Sequence, residues 1–277
     1  MCAKGLNKRK IIKNSFYVLV GVFLLSAFCS LIGVIDIVKE DYLGNTRVVL
    51  GMGHPNVFSL FCNLIFLHLA YLFYDKITIK HLAICSVIAG ILYVACQSRT
   101  GLLTYMITLI FFVVFKYTKQ RKVLLISSII VSVLALLFSL LPIIYSPYNN
   151  VMVQVNSFFT GRLSQAHYYY VNYGIKIFGQ SLFEELNASY TQNILDIGYS
   201  RMYLYNGLAY YLAVIIGYVL LMKSAIKKND RKLMLLICFF LVYMCSENPG
   251  TYIFFNISML YFFSGTGRKR IGGGNDS

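Results

Sequence analysis

Three arginines stand in sequence contexts that make a bare cation costly. Arg99 lies in QSRTG between two long apolar runs, Arg162 in FTGRL, and Arg201 in YSRMY. Each sits beside residues that favour the start of a helix, Ser98 and Thr100, Thr160, and Ser200. A cation at a helix N-terminus opposes the dipole, at a cost on the order of 0.3–1 kcal/mol, unless an anion lies between the two. At membrane depth an arginine costs about 2.5–3.5 kcal/mol, less near an interface. Charge-assisted hydrogen bonds to a phosphate, about 1.5–3 kcal/mol each, offset both. Type and spacing therefore point to binding of a phosphate-bearing anion. A further helix beginning, GMGHPN (Gly51 to Asn56), carries Pro55 at a position suited to a first turn. The alternative is that the arginines snorkel to headgroups, or pair with Glu184, Glu185, Asp196 and Glu247.

The elements that position these residues are set by lipid. The chain has 277 residues, 58% of them hydrophobic and 13% charged, with a mean hydropathy of +0.67. A soluble domain carries about a quarter charged residues. Eight segments approach the roughly 20 apolar residues a spanning helix needs. They are Phe16 to Ile35, Val57 to Tyr74, Leu82 to Ala95, Leu102 to Tyr117, Val123 to Tyr145, Met202 to Met222, Leu233 to Cys245 and Tyr252 to Phe263. The first reads as an uncleaved anchor, because its apolar run is too long for a signal peptide. The expected fold is an all-α polytopic transmembrane bundle of about eight spans, with one large extracytoplasmic loop that contains an amphipathic helix. Residues 1–145 hold five spans after a cytoplasmic N-terminus, 146–201 form the loop, 202–263 hold three spans, and 264–277 form a disordered cytoplasmic tail.

Of the 25 lysines and arginines, only Lys39, Arg47, Arg99, Arg162, Lys176 and Arg201 fall on the side opposite the N-terminus. That asymmetry places both termini in the cytoplasm of a multi-pass cell-membrane protein and the candidate site outside. It also removes nucleic acid as the meaning of the +15 net charge. In the loop, Leu163, Ala166, Tyr170, Tyr173 and Ile177 form one helical stripe, with Gln165, Tyr169, Asn172 and Lys176 off it. The seven cysteines form no C-x-x-C pair and no histidine stands at ligand spacing, so neither metal nor cofactor is expected. Motifs for zinc proteases, P-loop nucleotide binding and serine hydrolases are lacking. Glu184 and Glu185 are adjacent and diverge on a helix, which disfavours a hydrolase of glycosidic bonds.

Taken together, R-x-x-x-G-x-G-H-P-N (Arg47 to Asn56), SRTG (Ser98 to Gly101), FTGRL (Phe159 to Leu163), FGQSL (Phe178 to Leu182) and LDIGYSRMYLYNGL (Leu195 to Leu208) resemble the Wzy-type polysaccharide polymerases. The set is more distantly similar to the O-antigen ligases. Two departures stand out: Ile197 replaces a polar family residue, and family members carry further spans ahead of the matched region. The chain is therefore expected to be a shortened member or a fragment. The resemblance implies metal-independent, inverting glycosyl transfer on the outer membrane face, with undecaprenyl-pyrophosphate-linked oligosaccharide as substrate. Flippase and chain-length-regulating proteins are the implied protein partners. It implies Arg99 and Arg162 in catalysis, and Arg47, His54, Asn56, Tyr199 and Arg201 in substrate binding. A pyrophosphate leaving group needs no general acid, but one base must take the acceptor proton; His167, Asp196 and Glu247 are the candidates. A ligase using the same carrier and a transporter or flippase of lipid-linked sugars are the alternatives. A transporter places its polar residues at the bilayer midplane.

Overall fold

The computed structural model describes residues 7–40, 44, 46–182, 195–248 and 255–262. Among them it is an all-α membrane-type bundle, in which six helices are long and apolar enough to cross a bilayer. These are α1 (Lys8–Leu31), α2 (Pro55–Leu72), α3 (Ile79–Cys96), α4 (Arg99–Tyr117), α5 (Arg121–Ile144) and α9 (Leu208–Lys228). Between α5 and α9 lie three shorter helices, α6 (Asn150–Phe158), α7 (Arg162–Tyr173) and α8 (Gly198–Leu204). After α9 comes α10 (Arg231–Tyr243), followed by a 3₁₀ turn at Ile257–Tyr261.

The seventh expected span exists as α10, with a distinctive role. Every residue from Leu233 to Tyr243 is buried, because α2, α4, α5 and α9 surround the helix. A helix apolar on all sides is stable only as a core element. Its 13 residues rise about 20 Å, short of the roughly 30 Å hydrocarbon thickness. Of the eighth expected span, Tyr252 to Phe263, residues 255–262 are described, and they hold the five-residue 3₁₀ turn instead of a spanning helix; the rest of that span lies outside the described residues. Glu184, Glu185 and the tail also lie outside them.

The sixth expected span is not continuous. The chain breaks at Gly207, whose φ is +93° and whose added Cβ would sit 2.5 Å from the Phe178 carbonyl carbon. The segment from Lys176 to Gln180 crosses the chain at this break. Leu208 N donates to Lys176 O, Ala209 N to Ile177 O, and Gln180 N to Tyr205 O. Backbone donors that a continuous helix would use internally are thus satisfied by a passing loop.

Two further expectations need correction. The chain has a short hairpin, β1 (Val38–Glu40) antiparallel to β2 (Thr46–Val48), between α1 and α2. The loop helix forms, but Gly174 at φ +63° follows its last residue, Tyr173, so Ile177 lies beyond it and is exposed. Its buried residues are Arg162, Leu163, Ala166 and Tyr169, so the inward face includes one residue that the stripe had excluded, Tyr169.

The two ends of the bundle differ in chemistry. At one end, cations satisfy carbonyls in the last turn of α4 and in the turns that follow α2 and α4. Lys116 Nζ donates to Tyr74 O at 2.6 Å and to Ile77 O, and Arg231 donates to Phe115 O and Lys119 O. Positive charge at a helix C-terminus is the favourable pairing with the dipole. The other end holds the candidate site.

Candidate functional site

Arg162 is the first residue of α7 and is 8% exposed. Its Nε lies 3.1 Å from Asp196 Oδ2, and one terminal nitrogen lies 2.7 Å from Glu247 Oε1. The other donates to Ser246 O at 2.6 Å and to Thr100 Oγ1 at 3.2 Å. The alternative of carboxylate pairing therefore holds for Arg162. One guanidinium faces two carboxylates, so the fully ionised trio carries one excess negative charge in a buried place.

Helix beginnings fix the surrounding groups. His54 caps α2 by accepting the Asn56 N–H on Nδ1. Asn56 then donates through Nδ2 to Glu247 Oε1 at 2.8 Å and accepts on Oδ1 from Ser98 Oγ at 3.1 Å. Ser98 caps α4 through the Gly101 N–H and shares a hydrogen bond with Ser59 Oγ. Gly101 permits this close approach, since a Cβ there would fall 2.4 Å from Ser59 Cβ. Small residues and interhelical hydrogen bonds are what join helices in lipid. The network thus ties α2, α4, α7 and the turn after α10 together.

Two cavities flank Arg162. One, of about 240 Å³, is lined by His54, Asn56, Leu60, Asp196, Tyr243 and Glu247. The other, of about 370 Å³, has Arg99 and Arg162 with an apolar floor of Leu102, Leu103, Met106 and Phe158. Those four floor residues are substantially exposed along the bundle side. Arg99, the first residue of α4, is exposed and has no hydrogen-bond or ion-pair partner among the described residues. The groove therefore offers an unpaired cation at a helix N-terminus above an apolar channel.

Electrostatics divide the titrating groups. Burial pushes the Glu247 carboxyl up to about 7, with Asp196 adding to the rise and Arg162 opposing it. Burial also raises Asp196, against Arg162, His54 and Arg201. His54 is held below the usual histidine range, by desolvation first, with Lys39, Arg162 and Arg47 adding and Asp196 opposing. Glu247 uses Oε1 for both Asn56 and Arg162, which leaves Oε2 without a hydrogen bond among the described residues. A carboxylate titrating near 7 beside a cavity has the affinity a general base needs.

Several expected site residues are placed elsewhere. Tyr199 is wholly buried and its hydroxyl donates to Leu241 O at 2.7 Å, so it packs α8 on α10 rather than meeting a ligand. His167 lies five residues past Arg162, about 140° round the helix. There its Nδ1 lies 2.8 Å from Pro142 O, an end carbonyl of α5, and its ring meets Tyr145. Through that nitrogen it serves the α5 terminus, away from the Arg162 cluster. Arg201 is in the last turn of the seven-residue α8, not at a span N-terminus, with its guanidinium 5.2 Å from the Tyr205 ring centre. Arg47, on β2, exerts its charge on His54 without lining either cavity. The residues brought together are Arg162, Asp196, Glu247, His54 and Asn56, with Arg99 across Arg162. Sequence reasoning gave Ser98 only a capping role and overlooked Ser59. The signal for Ser59 was its helical spacing, three residues after Asn56.

No protein-family model, curated protein or solved structure matches the chain.

Proposed function

We propose that the chain is a membrane glycosyltransferase that joins lipid-linked oligosaccharide repeat units, a polysaccharide polymerase using undecaprenyl pyrophosphate as carrier. The observation that carries this reading is the position of Arg162 between an apolar groove rimmed by Arg99 and a polar cavity lined by Glu247 and Asp196. In the proposal the carrier's prenyl chain lies along Leu102, Leu103 and Met106, with its diphosphate on Arg99 and the α4 N-terminus. The acceptor hydroxyl enters the polar cavity and loses its proton to Glu247. Attack from one side of Arg162 and departure on the other suits inversion. Charge developing on the diphosphate needs cations and N–H groups, not a proton donor. The motifs that resemble Wzy-type polymerases supply four of these residues: Asn56, Arg99, Arg162 and Asp196.

A ligase would use the same donor groove and differs only in product. The placement of charge does not favour the transporter reading: among the described residues the buried lysine, arginine and acidic side chains are Arg162 and Glu247, both at one end of the bundle, although neutral polar groups such as Asn63 and Thr108 are buried within the spans. Arg99→Ala tests the proposal, because an exposed residue is changed and the fold is spared. Cells carrying it should accumulate single lipid-linked repeats at normal protein level. An unchanged polymer ladder would overturn the assignment.

A further inference from the structure

At the end of the bundle away from Arg162, a third cavity of about 220 Å³ lies between α1, α9, the start of α10 and the 3₁₀ turn. Lys8 enters it from the first turn of α1 and Lys228 from the last turn of α9, so two ammonium groups on different helices share one mouth. Lys8 Nζ sits 4.1 Å from the Tyr261 ring centre, which holds its stem across the opening. The acid of this cavity, Asp230, is committed as the N-cap of α10, its Oδ1 accepting from Leu233 N at 3.0 Å. Two cations against one carboxylate leave a net charge of +1.

Beneath the charges the walls are apolar. Leu220, Leu221 and Phe262 form them, and Gly217 lies flush against Phe262, where an added Cβ would be 3.0 Å from the ring. Leu220 is 60% exposed on the outside of the bundle, so the cavity continues into the surface that meets lipid tails. Ser224 adds a hydroxyl donor at the mouth.

We propose that this cavity binds an anionic phospholipid, the lysines holding its phosphate and the Gly217–Leu220–Phe262 wall one acyl chain. A basic mouth over an apolar floor at the end of a helix bundle complements a phosphodiester headgroup. A free phosphate would meet the charges but leave the floor empty. The inference does not rest on the catalytic reading.

The test uses the purified full chain in detergent, titrated with phosphatidylglycerol or with phosphatidylcholine of the same acyl chains. Thermal unfolding and retained lipid by native mass spectrometry are the readouts. Phosphatidylglycerol should raise the unfolding temperature and remain bound, and phosphatidylcholine should not. The Lys8→Gln/Lys228→Gln variant should bind it about thirtyfold more weakly. Lys119→Gln/Lys122→Gln, an equal charge change on exposed residues at the same end, should bind as wild type. Gly217→Leu, which fills the floor, should lose the lipid while keeping both lysines. Equal response to the two lipids, undiminished binding in the Lys8/Lys228 variant, equal loss in the Lys119/Lys122 variant, or a full response to inorganic phosphate alone would each overturn the site.

Discussion

At Glu247 the balance of forces can be read through pH. Burial raises its carboxyl from 4.5 to about 7, so over that window the folded chain holds a proton that the unfolded chain has released. Its contribution to stability is therefore complete below about 4.5 and declines as pH rises through about 7. Asp196, also raised, acts with the same sign; His54, lowered, acts oppositely as pH falls below the ordinary histidine range. Melting curves from pH 5 to 8 should show wild type losing stability relative to Glu247→Gln as pH increases. If the carboxylate is the base, turnover rises across that same window and Glu247→Gln abolishes it. Arg162 behaves differently: its removal strands the buried Glu247 carboxylate and the half-buried Asp196, and Arg162→Ala should cost about 3–5 kcal/mol. Chemical denaturation should show much of that loss recovered when Arg162→Met is combined with Asp196→Asn and Glu247→Gln. Arg162, Asp196 and Glu247 were legible as scarce charges between apolar runs. The contacts of Tyr199 and His167 were not legible, because the carbonyls they meet, Leu241 and Pro142, are 42 and 25 residues away in sequence.

Helices were the most legible elements, since an apolar run of about 20 residues has few other stable forms in lipid. Five expected spans match α1 to α5 to within a few residues, apart from the earlier start of α1. The break at Gly207 was not legible, because hydropathy carries no information about a loop that crosses there. Glycine at 207 was a clue, and the close approach of Phe178 explains it. Gly207→Ala must hold an L residue at φ +93° and move the Phe178 backbone, so it should destabilise by roughly 1–3 kcal/mol. A lowered unfolding temperature for the purified variant in detergent checks this. The hairpin was missed because three-residue strands give no readable alternation.

Over the whole molecule, the division between the two ends was visible in the placement of lysine and arginine, and the helix packing explains its physical use. At the Lys116 and Arg231 end, cations meet carbonyls of the turn after α2 and of the last turn of α4, whereas the N-termini of α2 and α4 face the Arg162 cluster. The three arginines read as binding a phosphate-bearing anion are arranged differently from one another, with Arg162 locked between carboxylates and Arg99 beside an apolar groove without a partner among the described residues. Neither composition nor motif order could separate a paired from an unpaired guanidinium, because the pairing depends on α7 packing beside the turn after α10. In the proposed function this groove holds a diphosphate carried on a lipid. Equilibrium binding of a polyprenyl diphosphate to the purified chain measures it most directly. Wild type should bind saturably and Arg99→Ala about tenfold or more weakly, with an unchanged melting temperature. Equal affinity in the two proteins, or no saturable binding by wild type, would contradict the account.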